Sequence, residues 1–128
     1  MKETPRILVI EDDPILRDLM AEWLKAAGYG VGLAAEGAGG IRDARAHRPA
    51  LVVTDINMPG VGGAAVIAEI ARIYPDVPII AISAHFRSEF GMPAEKATAL
   101  GATRTLAKPF RRADMIGAVS ELVGSRAS

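Results

Sequence analysis

Short runs of consecutive apolar residues alternate along this chain with longer stretches whose apolar positions recur at helical spacing. The runs lie at 6–10, 31–34, 51–54 and 77–82, with a weaker one at 104–107. They are rich in Val, Ile and Leu and show no polar alternation, the pattern of strands covered on both faces. Residues 14–27 carry Ile15, Leu16, Leu19, Met20, Trp23 and Leu24 as an apolar helical stripe. Asp13 is a suitable N-cap there, Pro14 suits the first helical position and Gly28 is a stop. The spacing predicts a second helix over 38–47, softened by Gly39 and Gly40, and a third over 63–74 with Val66, Ile67, Ile70 and Ile73 on one side. A fourth is expected over 87–100, interrupted by Gly91 and Pro93. The last, over 110–123, turns Phe110, Met115, Ile116, Val119 and Leu122 inward.

Strands and helices in strict alternation predict an α/β domain, a doubly wound five-stranded parallel sheet with five helices. Right-handed β-α-β crossovers need a helix to return the chain between parallel strands. The carboxyl ends of such strands share one edge, where ligands bind. The first run ends in Glu11, Asp12 and Asp13, the third in Asp55, the fourth in Ser83, and the fifth in Lys108 and Pro109. The second is followed by Ala35 and Glu36, which is less informative. One edge therefore gathers carboxylates, a hydroxyl and an ammonium.

Crowded carboxylates repel one another, and a hard divalent cation with oxygen ligands relieves this, which favours Mg²⁺ over zinc. A metal beside an aspartate, with a lysine opposite, suits phosphoryl transfer onto that carboxylate. Asp55 is the nucleophile candidate because it stands alone on its loop, before Ile56-Asn57-Met58-Pro59-Gly60, whereas residues 11–13 form the metal cradle.

Composition narrows the field. At 128 residues the chain suits one domain, residues 1–128 with a core at about 5–123. With 50% hydrophobic residues and a formal net charge of zero it is neither a disordered tail nor a general nucleic-acid binder. It has no cysteine, which excludes disulfides, thiolate metal sites and cysteine nucleophiles. Residues 1–5 are not a signal peptide, and no stretch approaches the ~20 apolar residues of a membrane span, so a cytoplasmic location is expected, with no membrane partner.

The segments Ile-Glu-Asp-Asp-Pro (10–14), Asp-Ile-Asn-Met-Pro-Gly (55–60), Ser-Ala (83–84) and Lys-Pro-Phe (108–110) resemble the receiver domains of bacterial two-component response regulators. The resemblance implies a flavodoxin-like fold with strand order 2-1-3-4-5. It implies that Asp55 accepts a phosphoryl group from a sensor histidine kinase or a phosphotransfer protein. Asp12, Asp55 and the Asn57 backbone carbonyl would hold Mg²⁺, with Glu11 acting through water. Lys108 would pair with the phosphoryl oxygen, Ser83 would swing to hydrogen-bond it, and Pro109 would follow a cis peptide bond. The domain would promote its own phosphorylation and dephosphorylation without a separate substrate. It would signal to a downstream protein through the face formed by the fourth helix, fifth strand and fifth helix, with no direct nucleic-acid contact.

This chain also departs from the pattern. Thr105 stands three residues before the lysine, where the family usually has an aromatic that reports the switch. The segment between Ser83 and Gly101 is longer than the resemblance leads one to expect, around 86–93. Gly62 replaces an acid common after the Met-Pro-Gly turn, and His85 lies two places beyond Ser83, where side chains tune phosphoryl lifetime. Phe86, Phe90 and Met92 are candidates for a partner-docking patch. Asp13 is assigned to capping, and Trp23 and the helix methionines to the core.

The leading expectation is a stand-alone switch, with a receiver excised from a larger regulator as an alternative. A pseudo-receiver that binds partners without phosphorylation is a second reading. An aspartate-nucleophile phosphatase fits less well, because Asn57 occupies the place of its second aspartate, and an acidic first loop disfavours flavin phosphate. The glycine pattern at 30–35 overlaps the second strand instead of following it, so a dinucleotide loop is discarded.

Overall fold

Strands and helices alternate from end to end in the computed structural model, which describes residues 4–57, 62–84 and 93–123. They are β1 (Arg6–Ile10), α1 (Pro14–Ala26), β2 (Gly30–Ala34), α2 (Gly37–Ala46), β3 (Leu51–Asp55), α3 (Gly63–Ile73), β4 (Ile79–Ser83), α4 (Ala94–Leu100), β5 (Arg104–Ala107) and α5 (Arg112–Val123). All four strand pairings are parallel and the order is β2-β1-β3-β4-β5.

The unbroken hydrophobicity of the strands has a direct cause. Successive side chains point to opposite faces, and both faces are covered. Leu8, Ile10, Val52, Ile79 and Ala81 pack with Ala44, Val66, Ile67, Ile70 and Ala97 from α2, α3 and α4. Ile7, Val9, Leu51, Val53, Ile80 and Ile82 pack with Met20, Leu24, Met115 and Val119 from α1 and α5.

Several boundaries differ from the sequence reading. β4 begins at Ile79 and runs through Ser83, because Pro78 has no N–H to donate; its carbonyl accepts from Val52 N at 3.0 Å. Asp55 is the last residue of β3, in register with Ile82, rather than the first of a loop. α5 starts at Arg112, where Asp114 accepts from Arg111 N at 2.9 Å, and Phe110 packs half-buried before it. In the expected helix over 87–100 only Ala94–Leu100 is described as helical, while 87–92, with Phe90 and Met92, lie outside the described residues, as do His85 and Phe86.

Two glycines that weaken helices in isolation are required by packing. A Cβ on Gly40 would lie 2.3 Å from Ile10 Cδ1, so α2 rests directly on the end of β1. A Cβ on Gly63 would lie 2.3 Å from Ile56 Cα, so the start of α3 abuts the backbone just after Asp55. Both contacts bear on the edge that carries the acids.

Candidate functional site

The site begins where β1 runs out. Glu11 N still donates to Ala34 O at 3.0 Å, which extends the sheet by one bond, and the Glu11 side chain is fully buried. Its Oε2 accepts from Asp13 N at 3.0 Å, and Arg17 Nη1 donates to its carbonyl at 3.0 Å. Asp13 caps α1, its Oδ1 accepting from Ile15 N at 3.0 Å with Pro14 in the first turn. Asp12 between them is exposed. The acidic run thus divides into one buried carboxylate, one that faces solvent and one cap.

Asp55 ends β3 and is 3% exposed. Asn57 N donates to Asp55 Oδ1 at 2.8 Å, an Asx turn that fixes the carboxylate. Lys108 follows β5 and is aligned by its own N–H donating to Ser83 O at 2.9 Å. Its ammonium lies 2.6 Å from Asp55 Oδ2 and 2.9 Å from Glu11 Oε1. The Lys108–Pro109 peptide is cis, as expected. Ser83, fully buried at the end of β4, accepts a hydrogen bond from the Asn57 side-chain amide.

One oxygen each from Glu11, Asp12 and Asp55 lie within 4.8 Å of one another. Three carboxylates against one ammonium leave excess negative charge, and the donor set is all oxygen, which fits a hard divalent cation. Burial pushes the Glu11 carboxyl up to about 7, reinforced by the Asp55 charge and opposed by the Asp13 N–H and Lys108. Burial works against the Lys108 charge too, but hydrogen bonds to Asp55 and Glu11 outweigh it and hold that ammonium above its usual range.

Glu11, Asp12, Asp55, Asn57, Ser83 and Lys108 are thus brought to one edge. Thr105 stands apart from them, half-buried on β5 opposite Ala81. Two features were not read from the sequence. The Asn57 side chain engages Ser83, a contact between residues 26 apart that no local pattern announces. The α1 stripe is also wider than the core needs: Ile15 is 79% and Leu19 38% exposed. With Leu16, Trp23, Ala84, Pro109 and Phe110 they line a groove of about 450 Å³ that Asp13 and Lys108 also border. Trp23 is half-buried in this wall, edge-on to Phe110 at 6.5 Å, while Met20 and Met115 are core as expected.

A doubly wound parallel sheet in the order β2-β1-β3-β4-β5 defines the flavodoxin-like class of folds. The profile of the response regulator receiver domain family matches residues 7–120, and the chain belongs to that family of two-component signalling proteins. It is 33% identical over 125 residues to the transcriptional regulatory protein PrrA of Mycobacterium tuberculosis, covering 98% of this chain and 52% of that protein. It is 37% identical over 124 residues to the transcriptional regulatory protein PdtaR of the same species, covering 94% of this chain and 57% of that one. The chain spans about half the length of these relatives (52% and 57%). Among solved structures it resembles the chemotaxis protein CheY4 of Vibrio cholerae, with a TM-score of 0.84, 25% identity and coverage of 94% and 99% of the two chains. It also resembles NtrX of Brucella abortus, with a TM-score of 0.85, 28% identity and coverage of 94% and 27%. Receiver domains are phosphoacceptors served by kinases. No described helix is long and apolar enough to cross a membrane.

Proposed function

We propose that this domain is a phosphoryl-accepting switch in which Asp55 takes the phosphoryl group from a phosphohistidine donor, a sensor histidine kinase or a phosphotransfer protein. The observation that carries this is the near-complete burial of Asp55 with the Lys108 ammonium 2.6 Å away and Glu11 and Asp12 in reach. An Asp55 oxygen attacks phosphorus as the bond to the imidazole nitrogen breaks, and the ring nitrogen keeps the electron pair. Lys108 meets the charge on the transferred group, and Ser83 turns its O–H toward a phosphoryl oxygen.

Asp12, Asp55 and the Asn57 carbonyl would hold Mg²⁺ directly, with Glu11 acting through water. When bound, the ion neutralises charge on the transferring group. The domain acts on no separate substrate. A donor protein has the apolar wall of Ile15, Leu16, Leu19, Trp23 and Phe110 to rest on, next to Lys108. Modification replaces the Asp55 carboxylate by an acyl phosphate, which adds about one net negative charge and three strong acceptor oxygens at the sheet edge. The altered surface would be read by a protein partner at α4, β5 and α5, with Thr105 replacing the usual aromatic reporter.

Intact mass after incubation with acetyl phosphate and Mg²⁺ tests the reading. A gain of one phosphoryl group, lost without Mg²⁺ and in Asp55→Asn, supports it; labelling that persists in Asp55→Asn refutes the site. No gain, with no beryllofluoride binding, selects the pseudo-receiver. Because the matched relatives are longer and are named transcriptional regulators, the stand-alone reading stands beside that of a receiver within a longer regulator. The mass of the native protein in its own cell separates the two.

A further inference from the structure

Ser83 is already engaged in the unmodified protein, where the Asn57 side-chain amide donates to its Oγ. We propose that this bond is a latch, and that Asn57 is a positioning residue that holds the switch hydroxyl in the unmodified arrangement until a group on Asp55 competes for it. The inference rests on the phosphoacceptor reading of Asp55 and deepens it.

Asn57 is placed to sense the acceptor, because its backbone N–H donates to Asp55 Oδ1 at 2.8 Å while its side chain reaches Ser83. One residue therefore touches both the carboxylate that is modified and the hydroxyl that responds. The two ends of the latch differ in burial. Ser83 is fully buried and its hydroxyl needs a polar partner in either arrangement, whereas Asn57 is exposed and its released amide is met by water. The Asn57 amide donates to a lone pair of Ser83 Oγ; turning that side chain toward Asp55 breaks this bond and gives its O–H a stronger, charge-assisted partner in a phosphoryl oxygen. Thr105, opposite Ala81 on β5, presents no ring for a moving Ser83 to displace. A contact made only in the unmodified state favours that state, and its loss shifts the population toward the switched one.

The test is a double-mutant cycle on beryllofluoride binding at saturating Mg²⁺, for wild type, Asn57→Ala, Ser83→Ala and the double variant. It is read by the fluorescence of Trp23, the chain's single tryptophan, which lines the groove beside Lys108. Asn57→Ala should tighten binding about three- to tenfold in the wild-type background, the weight of one neutral hydrogen bond. It should have no effect when Ser83 is already alanine. Tightening that persists without Ser83, no change, or weaker binding each overturns the latch. Wild type that does not bind beryllofluoride at all strikes the phosphoacceptor reading instead. The bond itself is then decided by NMR of the metal-free protein. Ser83→Ala must shift the Asn57 side-chain amide protons and speed their exchange with water, and an unchanged amide overturns the proposal. Thermal melts confirm that each variant is folded.

Discussion

Gly62 and Gly63 are neighbours with opposite structural duties, so replacing each by alanine isolates one cause. A Cβ on Gly63 would lie 2.3 Å from Ile56 Cα and 2.5 Å from Ile56 O. These are backbone atoms and cannot rotate away, so either the start of α3 or the turn after Asp55 must shift. Overpacking of this kind costs about 2–3 kcal/mol. Among the described residues a Cβ on Gly62 meets nothing within 4 Å, and its φ of −69° and ψ of 157° suit any residue. Gly62 is the N-cap of α3, where alanine is disfavoured, so this cost offsets the gain from restricting the unfolded chain and leaves the net change within about 0.5 kcal/mol. For 128 residues, 1 kcal/mol moves Tm by about 4 °C. Circular dichroism melts should show Gly63→Ala lower than wild type by about 8–12 °C and Gly62→Ala within about 2 °C of wild type. Because Ile56 links Asp55 to Asn57, Gly63→Ala should also slow labelling by acetyl phosphate. Equal shifts for the two variants would refute the reasoning, since only the methyl on Gly63 meets backbone.

Asp12→Asn removes one of three carboxylates within 4.8 Å. It should stabilise the metal-free protein by about 1 kcal/mol and shrink the extra stability conferred by Mg²⁺; melts with and without the ion check both, and an undiminished Mg²⁺ effect counts against Asp12 as a ligand. Burial raises Glu11 from 4.5 to about 7, so between these values the folded state holds a proton that the unfolded chain releases. This group's contribution therefore falls as pH rises through that window, on the order of 1–3 kcal/mol in the metal-free protein. Denaturant titrations should show that slope in wild type and a flatter one in Glu11→Gln; parallel curves would dismiss the buried carboxyl as its source. Ile15→Lys, at a side chain 79% exposed, should leave Tm and labelling by acetyl phosphate unchanged while slowing transfer from a donor protein. Equal loss with both donors would show that the groove is not a docking wall.

Much of the chemistry was legible because a parallel sheet sends every strand's carboxyl end to one edge. Strands recognised from their apolar runs therefore place Glu11, Asp12, Asp55, Ser83 and Lys108 together before any coordinate is known. The caps at Asp13 and Pro14 were legible for a related reason, since they are local chemistry within one turn. Less was legible where distant segments decide. Gly40 reads as a flaw in a helix until Ile10 is found against it, and Pro78 delays β4 although Val77 is apolar and packs in the core.

The sequence by itself determined the α/β alternation, the strand residues to within two positions and the set of polar groups at the site, because these follow from periodicity and chain direction. Only the tertiary structure decided how those groups divide their work. It buries Glu11 and leaves Asp12 in solvent, shares Lys108 between Glu11 and Asp55, exposes Ile15 and joins Asn57 to Ser83. Burial and side-chain pairing are set by what arrives from elsewhere in the chain, and periodicity carries no information about it.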